Sequence, residues 1–97
     1  MARRFREVTD QETGITFRFL YNRGNPSRLH VEARWQVTPE TAIEAFARGI
    51  EHTVWLEGKR CFETVSDSHV VVWLWMDEAH TRVLVITCVP LEQSHYS

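Results

Sequence analysis

The stretch "VVVWLWM" (residues 70–76) is apolar at every position, and "RVLVITCV" (residues 82–89) follows it after a short polar turn. Both runs are rich in β-branched and aromatic residues and are too short to cross a bilayer, which indicates buried strands. A strand that is apolar on both faces needs cover on both faces. We therefore predict two central strands, covered on one side by a helix and on the other by a partner chain.

Three further segments have strand patterns. "GITFRFLY" (14–21) alternates apolar and polar residues, and the turn chemistry of "NRGNPS" (22–27) ends it. "EHTVWLE" (51–57) turns at Glu57-Gly58 into "KRCFETV" (59–65). With the two apolar runs, these segments predict a mostly antiparallel sheet of about five to six strands.

The clearest helix is "TPETAIEAFARG" (38–49), in which Thr38 can cap the start, Pro39 suits the first turn and Gly49 can end it. A sheet with one or two helices packed on one face is an α+β fold. We expect one domain over residues 1–97, with residues 1–13 as a loosely ordered N-terminal segment.

The stretch "LHVEARWQV" (29–37) carries two conflicting signals. Its strict alternation of apolar and polar residues indicates a strand, whereas Asn25-Pro26 upstream and the helix-forming Leu, Glu, Ala, Arg and Gln indicate a helix. His30 and Arg34 share a face in both structures, because they are an even number of residues apart and also at i and i+4. Glu32 joins them only in a strand.

The charge does not indicate a general affinity for polyanions. The net charge is −2, although ten of the eleven basic residues are arginine and Arg3, Arg4 and Arg6 crowd the first six positions. Dedicated nucleic-acid binders are mostly strongly basic. A local basic patch remains open, since arginine binds phosphate with two parallel hydrogen bonds.

The remaining composition points away from metals and membranes. Cys61 and Cys88 lack the spacing of a zinc knuckle or redox pair, so two buried free thiols are the leading interpretation, with a disulfide as the alternative if their strands pair. The five histidines have no ligand spacing, so we predict neither metal nor cofactor. "MARRFREVTD" (1–10) has no apolar run behind its charges, so we expect a soluble, cytoplasmic protein without a signal peptide.

The pattern V-[ST]-x-E-x-A-x-x-x-F is matched here by Val37, Thr38, Glu40, Ala42 and Phe46. "KRCFE" (59–63) and the closing "RVLVITC" (82–88) follow it. Over roughly residues 15 to 89, this arrangement resembles the BrnT branch of the RelE-like toxins of type II toxin–antitoxin systems. The resemblance implies a small α+β ribonuclease that cleaves messenger RNA and is held inactive by an antitoxin.

Cleavage of RNA through its own 2′-hydroxyl needs a base, an acid and cations that stabilise the phosphate charge, but no metal. His30 suits either proton-transfer role, and Glu63 is either a second proton carrier or a partner for an arginine. The predicted catalytic residues are His30, Arg34, Arg60 and Glu63. The predicted nucleic-acid-binding residues are Arg34, Lys59, Arg60 and Arg82. We expect His30, Arg34 and Arg60 to converge on one concave patch, with Lys59 and Glu63 at its rim.

A second function class fits the same sequence. A polar row on an alternating strand is usually solvent-facing, and large aromatic residues in strands are usually core. The chain could therefore be a non-catalytic, dimeric regulatory module, similar to an antitoxin or an immunity protein, with its Trp-rich sheet as the binding surface. The low overall basicity favours this module, whereas the grouping of His, Arg and Lys favours the ribonuclease. Either function predicts a homodimer or a complex with another protein.

Overall fold

A computed structural model of the protein describes residues 3–97. Six strands form one sheet, and two α-helices and a short 3-10 turn complete the chain. In chain order the elements are β1 (Phe5–Thr9), β2 (Thr16–Leu20), α1 (His30–Trp35), α2 (Pro39–Arg48), β3 (Ile50–Leu56), β4 (Lys59–Val65), β5 (His69–Trp75), β6 (Arg82–Pro90) and the 3-10 turn Leu91–Gln93. This architecture confirms the predicted α+β fold.

The strands are ordered β1-β2-β6-β5-β4-β3 across the sheet. β2 and β6 run parallel, and every other neighbouring pair is antiparallel. The two strands predicted to be central, β5 and β6, are indeed central. β1 and β3 are the two edges of the sheet. No helix among residues 3–97 is long and apolar enough to span a membrane.

The N-terminal segment differs from the prediction. Residues 1–13 were expected to be loosely ordered, but β1 pairs with β2 over five residues, from Phe5 opposite Leu20 to Thr9 opposite Thr16. "FREVT" lacks the alternation that marks a half-buried strand, because β1 is an edge strand and most of its residues are exposed. Met1 and Ala2 lie outside the described residues.

The ambiguous stretch 29–37 is helical over His30–Trp35. β2 already has β1 on one side and β6 on the other, so no edge of β2 is free to pair with this segment as a strand. The Glu32 carboxylate accepts a hydrogen bond from the Leu29 N–H at 3.2 Å, which fixes the first turn. Gln36, in the left-handed conformation with φ 57°, ends the helix.

Both helices pack on one face of the sheet, which we call the inner face. Its core is formed by residues of β2, β5, β6 and both helices, with Phe17, Trp73 and Val83 each no more than 1% exposed. Phe46 of α2 packs edge-on against the rings of Phe17 and Trp73 at 4.9 and 4.8 Å between centroids. The Trp73 Nε1–H donates to Thr64 Oγ1 at 2.8 Å, so its polar atom is satisfied in the core.

The two cysteines are free and buried, as the leading interpretation predicted. Cys88 lies in the core of the inner face, where burial raises the pKa of its thiol to about 12. Cys61 precedes the inward-facing Phe62 and therefore points to the opposite, outer face. β5 separates their strands by a distance of about 10 Å, which excludes the alternative of a disulfide.

Gly49 provides a test of how closely α2 packs on the sheet. A Cβ at this position would lie 2.6 Å from Thr64 Cγ2 and 2.8 Å from the carbonyl carbon and oxygen of Val65. Because two of these atoms are backbone, Gly49→Ala is expected to lower the free energy of unfolding by about 1–3 kcal/mol. Urea denaturation measures this loss.

The matched control is Gly24→Ala, where the nearest atom to the added Cβ is Asn22 Oδ1 at 3.4 Å. This variant should unfold at nearly the urea concentration of the wild type. Equal stability of the two alanine variants would contradict the close approach of α2 to β4.

Candidate functional site

The structure distributes the six predicted site residues over three places. His30 and Arg34 lie on α1, where His30 is partly exposed and Arg34 is exposed, as predicted. Arg60 shares the inner face of β4 with Phe62, whereas Glu63, an odd number of residues away, lies on the outer face. Lys59 precedes the inward-facing Arg60, and Arg82 precedes the inward-facing Val83, so both lie on the outer face. The predicted single patch therefore does not form.

Register shows how far apart these places are. His30 lies beyond the C-terminal end of β2, whereas Arg60 lies near the start of β4, level with the start of β2. Three strand spacings and about five residues of strand length separate the two positions, which puts them roughly 20 Å apart. One phosphodiester group is too small to contact both.

The structure instead surrounds His30 with residues of the N-terminus and of the β2–α1 loop. The Arg3 guanidinium donates to the Tyr21 carbonyl from Nε at 3.2 Å and from Nη2 at 2.9 Å. Arg4 stacks on the Tyr21 ring at 4.5 Å, and Arg34 stacks on the Trp35 ring at 4.3 Å. We call the group Arg3, Arg4, Asn22, His30 and Arg34 the basic corner.

The surroundings of His30 in the basic corner favour the neutral form of its imidazole. Partial burial lowers the pKa of His30 below its ordinary value, and the positive charges of Arg3 and Arg34 lower it further. In the unfolded chain His30 takes up a proton near pH ~6.5, whereas in the folded protein it does so only at lower pH. The free energy of unfolding therefore decreases as pH falls from about 6.5 to the folded-state pKa of His30. At neutral pH one ring nitrogen therefore carries no proton and can accept a hydrogen bond.

Asn22 determines which ring nitrogen accepts that hydrogen bond. Its Oδ1 accepts from the Asn25 N–H at 2.8 Å, which turns its Nδ2 amide group toward His30 Nδ1 at 3.4 Å. An amide N–H can only donate, so Nδ1 is the accepting nitrogen and Nε2 carries the proton. The 3.4 Å contact is long, and a stronger donor such as a substrate hydroxyl can replace it.

The basic corner has few anions to neutralise it. Glu32 is the only carboxylate between positions 21 and 37, and it caps α1 at the Leu29 N–H. The ion pairs found within residues 3–97 involve Arg18, Arg48, Arg82 and His95, and none involves an arginine of the corner. Arg23 and Arg28 are exposed in the adjoining loop. This surface suits phosphate although the chain as a whole is slightly acidic.

Arg60 lies at a separate groove of about 660 Å³ on the inner face. Phe62, Trp75 and His80 form its aromatic part, and the His80 ring stacks on Trp75 at 4.3 Å between centroids. Glu51, Asp77 and Glu78 also line this groove. Three carboxylates beside one arginine make it a poor site for a phosphate.

Glu63 is held by the C-terminal segment, in contacts that sequence reasoning missed. Its carboxylate, with a side chain 8% exposed, lies 3.1 Å from His95 Nε2 and accepts the Tyr96 hydroxyl at 2.7 Å. This hydrogen bond raises the pKa of Tyr96, and burial raises it further. Glu63 thus anchors the end of the chain across the outer face, and its partner is a histidine rather than an arginine.

Lys59 and Arg82 are not close to His30 either. Arg82 and Arg18 both bind the Glu7 carboxylate, and the hydrogen bond from Arg82 is the main cause that lowers the pKa of Glu7. Lys59 borders an apolar groove of about 410 Å³ on the outer face. The lining of this groove is mainly Leu56, Cys61, Leu74, Leu84 and Ile86.

The comparisons with known proteins add no relative. No protein-family model matches the chain, and no curated protein or solved structure matches it. Among residues 3–97, no three His, Cys, Asp or Glu side chains come close enough to hold a metal ion. The geometry of the basic corner is therefore the basis for the functional proposal.

The electrostatics of the basic corner can be measured directly. The His30 ring protons should titrate by NMR with a midpoint below about 6.5, and Arg3→Gln or Arg34→Gln should each raise that midpoint, because each removes a neighbouring positive charge. Arg48→Gln is the control, since Arg48 pairs with Glu44 on α2. A His30 midpoint that is the same in all four proteins would show that Arg3 and Arg34 do not lower the pKa of His30.

Proposed function

We propose that this protein is a metal-independent endoribonuclease of the toxin type, which cleaves RNA at the basic corner. The observation that carries the proposal is a partly buried His30 whose pKa is lowered by burial and by the positive charges of Arg3 and Arg34. A base and phosphate-binding cations are two of the three requirements for cleavage through the 2′-hydroxyl, and an acid is the third. The resemblance of residues 15–89 to the BrnT branch supports the same reaction.

In the proposed reaction, His30 Nδ1 replaces its long contact with Asn22 by a hydrogen bond from the RNA 2′-hydroxyl and takes its proton. The 2′-oxygen attacks the phosphorus, and the bond from phosphorus to the 5′-oxygen breaks. Arg3 and Arg34 stabilise the charge that builds on the phosphate oxygens. The products are a 2′,3′-cyclic phosphate and a 5′-hydroxyl.

The leaving 5′-oxygen takes its proton from water in this scheme, and the protonated His30 returns its proton to the hydroxide that forms. Glu63, which sequence reasoning considered as a second proton carrier, is bound by His95 and Tyr96 on the outer face. Arg60 lies roughly 20 Å from His30. The proposal therefore uses His30 and Arg34 of the predicted residues and adds Arg3, which precedes β1. A site with one proton carrier is expected to be slow.

Control by a partner protein is part of the proposal, since toxins of the resembling family are held inactive by an antitoxin. The apolar groove on the outer face, with Leu74, Leu84 and Ile86 in its lining, supports a protein partner. Because this groove is on the other side of the sheet from α1, such a partner need not cover His30.

The same groove favours a second candidate, the non-catalytic binding module. The sequence pointed to the Trp-rich face as its binding surface, but Trp73 is 1% exposed beneath Phe46 of the chain's own α2. The binding surface of such a module would be the outer face. In this candidate the arginines of the basic corner serve solubility and hold β1 to the β2–α1 loop.

The deciding experiment is cleavage of single-stranded RNA in excess chelator. His30→Ala is expected to lower the rate roughly a hundredfold or more, the usual contribution of a general base. Arg34→Ala should weaken RNA binding and turnover, because it removes one phosphate contact, and should reduce the salt dependence of binding. Mass spectrometry of the products identifies the 2′,3′-cyclic phosphate.

His52→Ala is the matched control, since His52 is exposed on β3, far from α1 in the sheet. It should cleave at the wild-type rate. Equal rates for wild type and His30→Ala would remove His30 from the mechanism. Failure of the folded wild type to cleave any RNA would leave the binding module as the function.

A further inference from the structure

The two edges of the sheet differ in how well they are protected. β1 is five residues long and contains Arg6, and Arg4 lies just before it. β3 is seven residues long, with the sequence "IEHTVWL" and without lysine, arginine or proline. Natural edge strands usually carry such residues, because an unprotected edge pairs with other strands. β3 is therefore the edge that is open to association.

The side chains of β3 are unusually exposed for a strand of this composition. Ile50 and Trp55 are each 70% exposed, and Leu56 is 41% exposed. In the whole strand only Val54 is half-buried. Exposed aromatic and aliphatic side chains on an unpaired edge gain from being covered by another strand.

The β3–β4 turn determines which backbone groups of β3 face outward. Glu57 and Gly58 have φ of 51° and 79°, as in a two-residue type I′ turn, so Leu56 and Lys59 form the closing hydrogen-bonded pair. Alternate residues back to Ile50 then bond to β4. Glu51, Thr53 and Trp55 direct their N–H and C=O groups away from the sheet.

We propose that β3 pairs antiparallel with β3 of a second copy of this chain, about a two-fold axis at Thr53. Each Glu51 then lies opposite the partner's Trp55, and Thr53 lies opposite the partner's Thr53. These are the three outward-directed residues, so the pairing forms three hydrogen-bonded residue pairs, or about six hydrogen bonds. The two sheets join into one continuous sheet.

The side chains agree with this register. On the outer face, Ile50 lies opposite the partner's Leu56, which covers two of the three exposed apolar side chains of the strand. On the inner face, Glu51 lies beside the partner's Trp55, and the partner's Arg60 is the next residue across, since Trp55 and Arg60 are cross-strand neighbours. No like charges are directly opposite each other.

Pairing registers shifted by one or two residues are less favourable than this one. A shift of one residue would bring inward-bonded groups to the interface and leave the outward groups without partners. A shift of two residues would pair Thr53 with the partner's Glu51 or Trp55 and lose one of the three hydrogen-bonded pairs. A seven-residue strand buries less than the roughly 800 Å² per partner of a standard interface, so we expect dissociation in the range of tens of micromolar.

This proposal does not depend on RNA cleavage, and its test measures assembly alone. Sedimentation velocity between about 1 and 500 µM should show the wild type changing from monomer to dimer. Thr53→Lys places two ammonium groups at the axis and should shift the midpoint at least tenfold toward higher concentration. Thr9→Lys, on the exposed β1 edge, is the matched control and should dimerise as the wild type does.

Thr53→Pro is a second variant, because it removes an outward N–H and leaves the β3–β4 hydrogen bonds in place. Circular dichroism checks that both Thr53 variants fold. In the wild type, the amides of Glu51, Thr53 and Trp55 should exchange more slowly as concentration rises. A monomer at all concentrations, a dimer that folded Thr53 variants do not weaken, or a dimer without this protection would each overturn the proposal.

Discussion

The position of β2 between β1 and β6 is the constraint on which the rest of this structure depends. Both edges of β2 are paired, so β2 is not free to pair with the following segment 29–37, in which His30–Trp35 forms α1. The pairing of β1 with β2 also brings Arg3 to the end of β2, where it binds the Tyr21 carbonyl. One arrangement of three strands thus places a histidine from α1 beside an arginine from the N-terminus.

The two faces of the sheet then separate the proposed RNA site from the proposed surfaces for protein contacts. The inner face is filled by the helices and by the cluster of Phe17, Phe46 and Trp73, so it has little free surface at its centre. Within residues 3–97 neither α-helix covers the outer face. The C-terminal segment crosses this face at Glu63, and an apolar groove remains beside Leu84. The proposed RNA cleavage at the end of β2 and the proposed protein contacts on the outer face or at β3 therefore use different surfaces.

Much of this fold follows from the sequence. The caps of α2, the strands around Glu57-Gly58 and the central place of β5 and β6 were all predicted from local patterns and are confirmed. β1 was missed because an exposed edge strand needs no alternation. The contact of Glu63 with His95 and Tyr96 has no sequence signal. The two partners follow Glu63 by 32 and 33 positions and lie in a segment without a regular pattern.

The candidate site shows where sequence reasoning could have gone further. The two-residue period of a strand already places Arg60 and Glu63 on opposite faces of β4, so their convergence could have been rejected without a structure. By contrast, the place of Arg3 in the basic corner depends on the β1–β2 register, which no local pattern indicated. The His30 and Arg34 pair was predictable because its geometry is the same in a strand and a helix.

The central claim is that phosphate binds at the basic corner, and NMR titration with a 2′-deoxy oligonucleotide, which binds but lacks the attacking hydroxyl, tests it most directly. The guanidinium signals of Arg3 and Arg34 and the ring signals of His30 should shift together, and binding should weaken steeply with added salt. Shifts confined to the groove at Arg60 and Trp75, or no shifts at low salt, would contradict it.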